Sequence, residues 1–264
     1  MYQLAILGVG KMGSAILNGI MKSCLYKKED ILLYVHSDEK LDFYSKNGYQ
    51  VTNNVERVFE DSKIILLAIK PQMFPEVLEQ SKKYDYTARC VISIAAGLSI
   101  SYIEGYFQNA FVVRAMPNTP AQIGRGVTTV CANDSSNIYF KSAMNIFNSI
   151  GVAYEIEEDK MDDSLALNGS MPAYLYLFAK AFIEDAKENG IDFETAKKLA
   201  VESIKSSCDM ILESKDSIDT LITNVCSKGG TTLAGLDELK KNNFEETIKK
   251  CARACANRSR ELSK

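Results

Sequence analysis

The chain has 264 residues, with 34 acidic against 31 basic side chains, a formal charge of -3, a pI near 5.5 and 46% hydrophobic residues. That length supports one large domain or two ordinary ones, and the acidic balance argues against a dedicated nucleic-acid binder. No apolar run approaches the roughly 18 residues that cross a bilayer, and Gln3-Leu4-Ala5-Ile6-Leu7 follows no cationic leader, so neither a membrane span nor a signal peptide is expected and a cytoplasmic location is.

Up to about residue 157, short apolar runs alternate with segments long enough for crossover helices: Leu4–Leu7, Ile31–Val35, Ile64–Ala68, Val91–Ile94, Phe111–Arg114 and Val127–Val130. Runs of this kind suit strands buried on both faces of a parallel sheet, and the pattern predicts a doubly wound α/β domain. The first run leads into Gly8-Val9-Gly10-Lys11-Met12-Gly13, with a helix expected from about Ser14. Gly8 permits the turn, Gly10 lets a pyrophosphate approach the backbone, and Gly13 lets the helix pack on the strand. The helix N-terminus then offers free N–H groups to phosphates, so the motif in this context predicts dinucleotide binding.

The second strand ends Tyr34-Val35-His36-Ser37, with Asp38 and Glu39 following. Ser37 accommodates a 2′-phosphate better than a carboxylate would, which favours NADP(H); Asp38 keeps NAD(H) open. His36 either helps hold that phosphate or is a surface loop residue. Ala68-Ile69-Lys70-Pro71 and Ile94-Ala95-Ala96-Gly97 leave later strands at the end where open α/β sheets bind ligands. Lys70 reads as a cofactor contact or as a solvated lysine. Met116-Pro117-Asn118-Thr119-Pro120 is a rigid loop, either beside the active site or at a domain corner.

After about residue 158 the strands stop. Helices are expected over 160–188, 193–213, 218–226, 231–241 and 244–262, with Pro172 kinking or breaking the first, Gly190 ending it and Asp192 capping the next. The division predicted is 1–158 for the dinucleotide-binding domain and 159–264 for the helical one. Ser227-Lys228-Gly229-Gly230-Thr231-Thr232 reads equally as an anion cradle at a helix start or as a helix–helix turn capped by threonine. The seven cysteines are odd in number and scattered, as expected of reduced, buried thiols rather than a disulfide framework. Cys251 and Cys255 share a helix face, but no histidine lies near them in sequence, and no metal site is expected. With His36 as the one histidine, a Ser-His or Cys-His system would have to be built on it.

Taken together, these motifs resemble the pyrroline-5-carboxylate reductase family, along essentially the whole chain. The carrying runs are Gly8 to Gly13, Ala68-Ile69-Lys70-Pro71, Ser93 to Gly97, Arg114 to Pro120, Asn168-Gly169-Ser170-Met171-Pro172-Ala173-Tyr174 and Ser227 to Thr232. The resemblance implies an N-terminal Rossmann-type doubly wound sheet followed by an all-α C-terminal dimerisation domain. It implies NADPH-dependent reduction of the cyclic imine 1-pyrroline-5-carboxylate to L-proline, the last step of proline biosynthesis. It makes Thr232 the catalytic residue, hydrogen-bonded to the ring nitrogen. Ser227, Gly229, Gly230 and Thr231 hold the substrate carboxylate, and Ser170 and Pro172 flank the pocket. The expected cofactor contacts are Gly8, Gly10, Lys11, Met12, Gly13, Ser37, Asn53, Ala68, Lys70, Pro71, Ala95, Ala96, Gly97 and Asn118, and the resemblance implies that Asn224 reaches the site from a partner chain. The family implies a homodimer through interlocked C-terminal helices, with a decamer of five dimers as the larger assembly, and no nucleic-acid or membrane partner.

The chain departs from the family's pattern at Lys228, where the family usually has Pro, at Met171, which adds bulk beside Ser170, and at Ser217-Ile218 in place of a common His-Pro. Two rivals stand beside this reading. One is an NADP(H)-binding paralogue that acts on another cyclic imine or serves as a sensor without turnover. The other is a 3-hydroxyacid or 6-phosphogluconate type dehydrogenase, which needs a catalytic lysine that Lys180, 11 positions beyond Gly169, does not match in spacing.

Overall fold

The computed structural model describes residues 1–69 and 73–262, so the expected cofactor contacts Lys70 and Pro71 lie outside the described residues. The strands are β1 (Tyr2–Leu7), β2 (Ile31–Tyr34), β3 (Gln50–Thr52), β4 (Ser62–Leu67), β5 (Cys90–Ser93), β6 (Phe111–Pro117), β7 (Gly126–Ala132) and β8 (Gly151–Glu155). They form one sheet in the order β3-β2-β1-β4-β5-β6-β7-β8. Because side chains alternate along a strand, each central strand feeds two cores. Leu4, Ile6, Ile31, Leu33, Ile64 and Leu66 join the core on one face. Ala5, Leu7, Leu32, Tyr34, Ile65 and Leu67 join the core on the other.

Helices α1 (Lys11–Lys22), α2 (Asp38–Lys46), α3 (Val55–Asp61), α4 (Phe74–Glu79), α5 (Ile100–Glu104) and α6 (Ile138–Asn148) lie between the strands in the chain. The first core is closed by Ile16, Leu17 and Ile20 of α1 with Phe140, Ile146 and Phe147 of α6. The second is closed by Val58 and Phe59 of α3, Phe74 and Leu78 of α4, and Ile100 and Ile103 of α5. Full burial of each such side chain contributes about 1.5–3 kcal/mol. The order reverses at the β1–β4 pair, so the crevice beyond the carboxyl ends of those strands is where an open α/β sheet takes a ligand.

Three expectations are corrected. The sheet is not parallel throughout: β6 and β7 pair antiparallel, Arg114 opposite Cys131 and Met116 opposite Thr129, and β8 then runs parallel to β7. The first helix starts at Lys11 rather than near Ser14, because Gly10 is already its N-cap. The helix expected over 160–188 is two helices, α7 (Met161–Ser164) and α8 (Met171–Glu188). Of the two roles expected of Pro172, the break rather than the kink is the one that forms: it stands second in α8, where its missing N–H has no intrahelical partner to lose.

The chain continues as α9 (Phe193–Glu213), α10 (Ile218–Val225), α11 (Thr231–Lys241) and α12 (Phe244–Leu262). Asp192 caps α9, its carboxylate accepting from Glu194 N at 3.0 Å and Thr195 N at 3.1 Å, and Gly190 holds φ +88° where α8 ends. Compactness divides the chain later than residue 158: one unit is 1–170 with 254–264, and the other is 171–253. In the second unit α8 pairs with α9, yet Leu177 is 68% exposed, Leu199 59% and Leu212 83%. A groove of about 580 Å³ runs between these two helices, lined by Leu175, Phe178, Phe182, Leu199, Ile204 and Ile211. No helix among the described residues is long and apolar enough to cross a membrane.

Candidate active site

Gly8 holds φ +105°, and a Cβ on it would meet the Ala68 carbonyl oxygen at 2.8 Å. A Cβ on Gly13 would lie 2.1 Å from the Gly8 carbonyl oxygen, whereas one on Gly10 would meet nothing within 4 Å. The outer glycines are therefore demanded by close packing, and the middle one faces open space against bare backbone. This is the cradle a pyrophosphate fits. Among the described residues, six helices take a side-chain cap, from Ser37, Asn54, Ser99, Asn137, Asp192 and Ser217. Helix α1, begun by Gly10, takes none and has no acid in its first turn, so its N–H groups and positive dipole end are left for an anion.

Around this turn a crevice of about 260 Å³ is lined by Gly8, Gly10, Tyr34, His36, Lys40 and Ala68, among others. Ser37 caps α2 by accepting from Lys40 N, and Asp38 and Glu39 occupy the first turn. The Lys40 ammonium reaches back to the Val9 carbonyl at 2.9 Å, as a side chain near a helix start does. Tyr34 Oη lies 3.3–3.4 Å from the ring nitrogens of the exposed His36. Burial, with Glu76 nearby, pushes the Tyr34 phenol above its ordinary pKa, so it stays a neutral donor. Val35 N donates to Thr52 O, which brings the exposed Asn53 out at the same sheet end.

At the end of β5, Ala95 N donates to Ser93 Oγ at 3.3 Å and Gly97 turns back at φ +74°. Ala95, Ala96 and Gly97 line a small recess with Arg114 and Met116. Behind that loop, the nearly buried Arg114 guanidinium pairs with Glu158 at 3.5 Å and Asp162 at 3.3 Å. Glu158 in turn accepts from Ile100 N at 2.7 Å, at the first residue of α5.

Asn118, expected at the cofactor, is 6% exposed and engaged within the protein: Nδ2 donates to Asn168 O and Oδ1 accepts from Val127 N. Asn168 answers by donating to Met116 O and Thr129 Oγ1. This pair pins the proline-flanked loop to the segment that ends in Ser170, whose Oγ lies 3.3 Å from Cys255 Sγ.

In the other unit, Gly229 holds φ +71°, and Gly230 is the N-cap of α11, where a Cβ would sit 2.3 Å from Ser227 Oγ. Thr231 and Thr232 are exposed helix residues, so the threonine-capped turn expected as one alternative is not what forms. As at α1, there is no side-chain cap and no acid in the first turn. Lys228 and Asn224 are exposed.

Two family models match: "Pyrroline-5-carboxylate reductase dimerisation" over residues 158–262, and "NADP oxidoreductase coenzyme F420-dependent" over residues 3–97. Pyrroline-5-carboxylate reductase 2 of Bacillus subtilis is 35% identical over 99% of this chain and 95% of its own length. The chain belongs to the pyrroline-5-carboxylate reductase family. The Synechocystis reductase is 34% identical over 99% of this chain and 98% of its own. A Plasmodium falciparum pyrroline carboxylate reductase solved with NADP bound has a TM-score of 0.89 at 33% identity, covering 100% of this chain and 98% of that one.

For a member of the reductase family, the structure brings Gly8, Gly10, Ser37, Asn53 and Ala68 to one end of the sheet. Lys11 and Met12 sit at the first two positions of α1. Sequence reasoning missed Lys40 and Arg114. The signal for Lys40 was its place three residues after a serine N-cap. For Arg114 it was a cation in the middle of an otherwise apolar run.

Proposed function

We propose that this chain reduces the C=N bond of 1-pyrroline-5-carboxylate to L-proline, with NADPH preferred and NADH accepted, as a homodimer in the cytoplasm. The observation that carries the reading is the pair of glycine-started helices without cap or acid, α1 and α11. They give one anion cradle for a pyrophosphate and one for a carboxylate. A bound nicotinamide would supply the hydride. The Gly8–Gly13 turn holds the phosphates, with Lys11, Met12, Ser37, Asn53, Ala68, Lys70, Pro71 and the Ala95–Gly97 loop along the cofactor. Asn118 acts from behind by fixing its loop, and Asn224 serves the partner's site. Backbone N–H groups of Gly229 and Thr231 orient the carboxylate beside Ser227, Gly230 shaping the turn through its own donation to Ser227 O, with Ser170 and Pro172 flanking the ring. The Thr232 hydroxyl meets the ring nitrogen. An imine can arrive protonated, so positioning does most of the work and no histidine acid is required.

The exposed apolar faces of α8 and α9 support the homodimer, since a single chain leaves them in water. The dimerisation match over 158–262 supports a functional boundary near residue 158.

The deciding assay follows loss of reduced-nicotinamide absorbance with the imine, first with NADPH and then with NADH. Turnover supports the reductase; cofactor binding without turnover leaves a sensor. Thr232→Ala is expected to lower kcat/KM for the imine by about 1–3 kcal/mol, the scale of one hydrogen bond to a charged group, with NADPH affinity barely moved. Unchanged imine kinetics would remove Thr232 from the site. Ser37→Asp keeps a competent helix cap but sets a third carboxylate beside Asp38 and Glu39. It is expected to lower the NADPH-to-NADH preference about tenfold or more. A ratio equal to wild type in paired titrations would mean that the 2′-phosphate is read elsewhere.

A further inference from the structure

We infer that Cys255 is a positioning residue for the imine pocket, its thiol setting the direction of the Ser170 hydroxyl. The inference rests on the reading of Ser170 as a pocket residue. Ser170 stands just before α8, its backbone tied by donation from its N to Leu165 O at 2.8 Å. With that backbone held, the remaining freedom of the side chain is rotation about χ1, and Cys255 Sγ lies 3.3 Å from Ser170 Oγ.

The thiol is itself firmly placed. Ser259 lies four residues further along α12, on the same helix face. It is 6% exposed and donates to Asp162 Oδ1 at 2.7 Å, while Arg260 pairs with Asp163. The end of α12 is thus registered on the 161–170 segment at points one turn apart. One of them reaches the Arg114 ion pair through Asp162, and the other reaches Ser170.

The chemistry of the partner matters. A thiol is a weak donor and a weak acceptor. Ser259, bonded to a carboxylate, is held strongly; Ser170, bonded to sulfur, is biased in direction but readily released to a better partner. Such a contact aims the hydroxyl before the ligand arrives and yields when it binds, which lowers the ordering cost of binding.

The test compares Cys255→Ala, Cys255→Val and Cys255→Ser in the full-length protein, with Ser170→Ala alongside. Cys255→Ala and Cys255→Val are expected to raise KM for the imine about three- to tenfold, with kcat and the NADPH dissociation constant within about twofold of wild type. Cys255→Ser restores a hydrogen-bonding partner and is expected to recover the wild-type KM. Loss in all three variants, or a fall in NADPH affinity and melting temperature that tracks KM, would mean that Cys255 only packs, and would overturn the inference. Wild-type KM in Cys255→Ala together with a raised KM in Ser170→Ala also overturns it while leaving Ser170 in the pocket. Wild-type KM in Ser170→Ala overturns the reading on which it rests.

Discussion

Gly13→Ala is expected to raise the dissociation constant for NADPH about 100-fold or more. The added methyl would lie 2.1 Å from the Gly8 carbonyl oxygen, a backbone atom that no rotamer change can move away. Gly8 has little room to adjust either, because it is held at φ +105° where even a Cβ would run into Ala68 O at 2.8 Å and the Ile69 side chain at 2.9 Å. The clash must therefore push the start of α1 off β1 by something on the order of 1 Å, and a displacement of that size at a binding group costs about two orders of magnitude. Overpacking also lowers stability by about 1–3 kcal/mol. Gly10→Ala separates the two effects: its methyl meets nothing in the protein, so the variant should melt like wild type yet still bind NADPH less tightly. The chain has no tryptophan, so emission of bound reduced nicotinamide can be titrated without an indole background. NADPH affinity within about threefold of wild type in Gly13→Ala would show that the turn yields, against the rigid packing of a strand–helix contact.

The parts of the fold that were legible are those buried on both faces. Strands β1, β2, β4, β5 and β6 are continuous apolar runs because helices cover each side of the sheet. Strand β8 escaped because it is the edge strand, with Val152 and Tyr154 open to solvent, and β3 because it is three residues long. The antiparallel step could have been read from spacing alone. Residues 118–125 are too few for the dozen or more that a parallel crossover needs, whereas β7 and β8 are joined through α6 and run parallel. At the candidate site, glycine spacing located the turns before α1 and α11, because Gly8 and Gly229 hold positive φ and Gly13 and Gly230 leave no room for a Cβ. Asn118 could not be resolved in this way. Its side chain is engaged by Asn168 and Val127, and only the tertiary fold brings residue 168 to residue 118.

Arg114→Ala is expected to cost about 3 kcal/mol of stability, toward the lower end of what breaking a buried ion pair costs. Arg114 is 8% exposed in β6, and its two carboxylate partners belong to the 158–162 turn. Removing the cation leaves Asp162 with Ser259 as a donor and Glu158 with Ile100 N. Neither contact neutralises a charge in surroundings dry enough that Cys131, opposite Arg114 in the ladder, is pushed up to about 12, chiefly by burial. The Glu158 side chain retains 34% exposure, so part of its charge is recovered by water, and this keeps the cost below the maximum. At fixed protein concentration the melting temperature should fall by roughly 6–12 °C. A conservative Arg114→Lys should recover only part of the loss, since one ammonium cannot span both carboxylates as the guanidinium fork does. The functional consequence follows from Glu158: it ties the start of α5, directly after the Ala95–Gly97 loop, to the same cation. Loosening that tie should weaken NADPH binding more than the global loss of stability accounts for at temperatures well below melting. If NADPH affinity there equals wild type while the melting temperature still falls, the ion pair supports the sheet alone and the cofactor loop is held by Ser93 and its own turn.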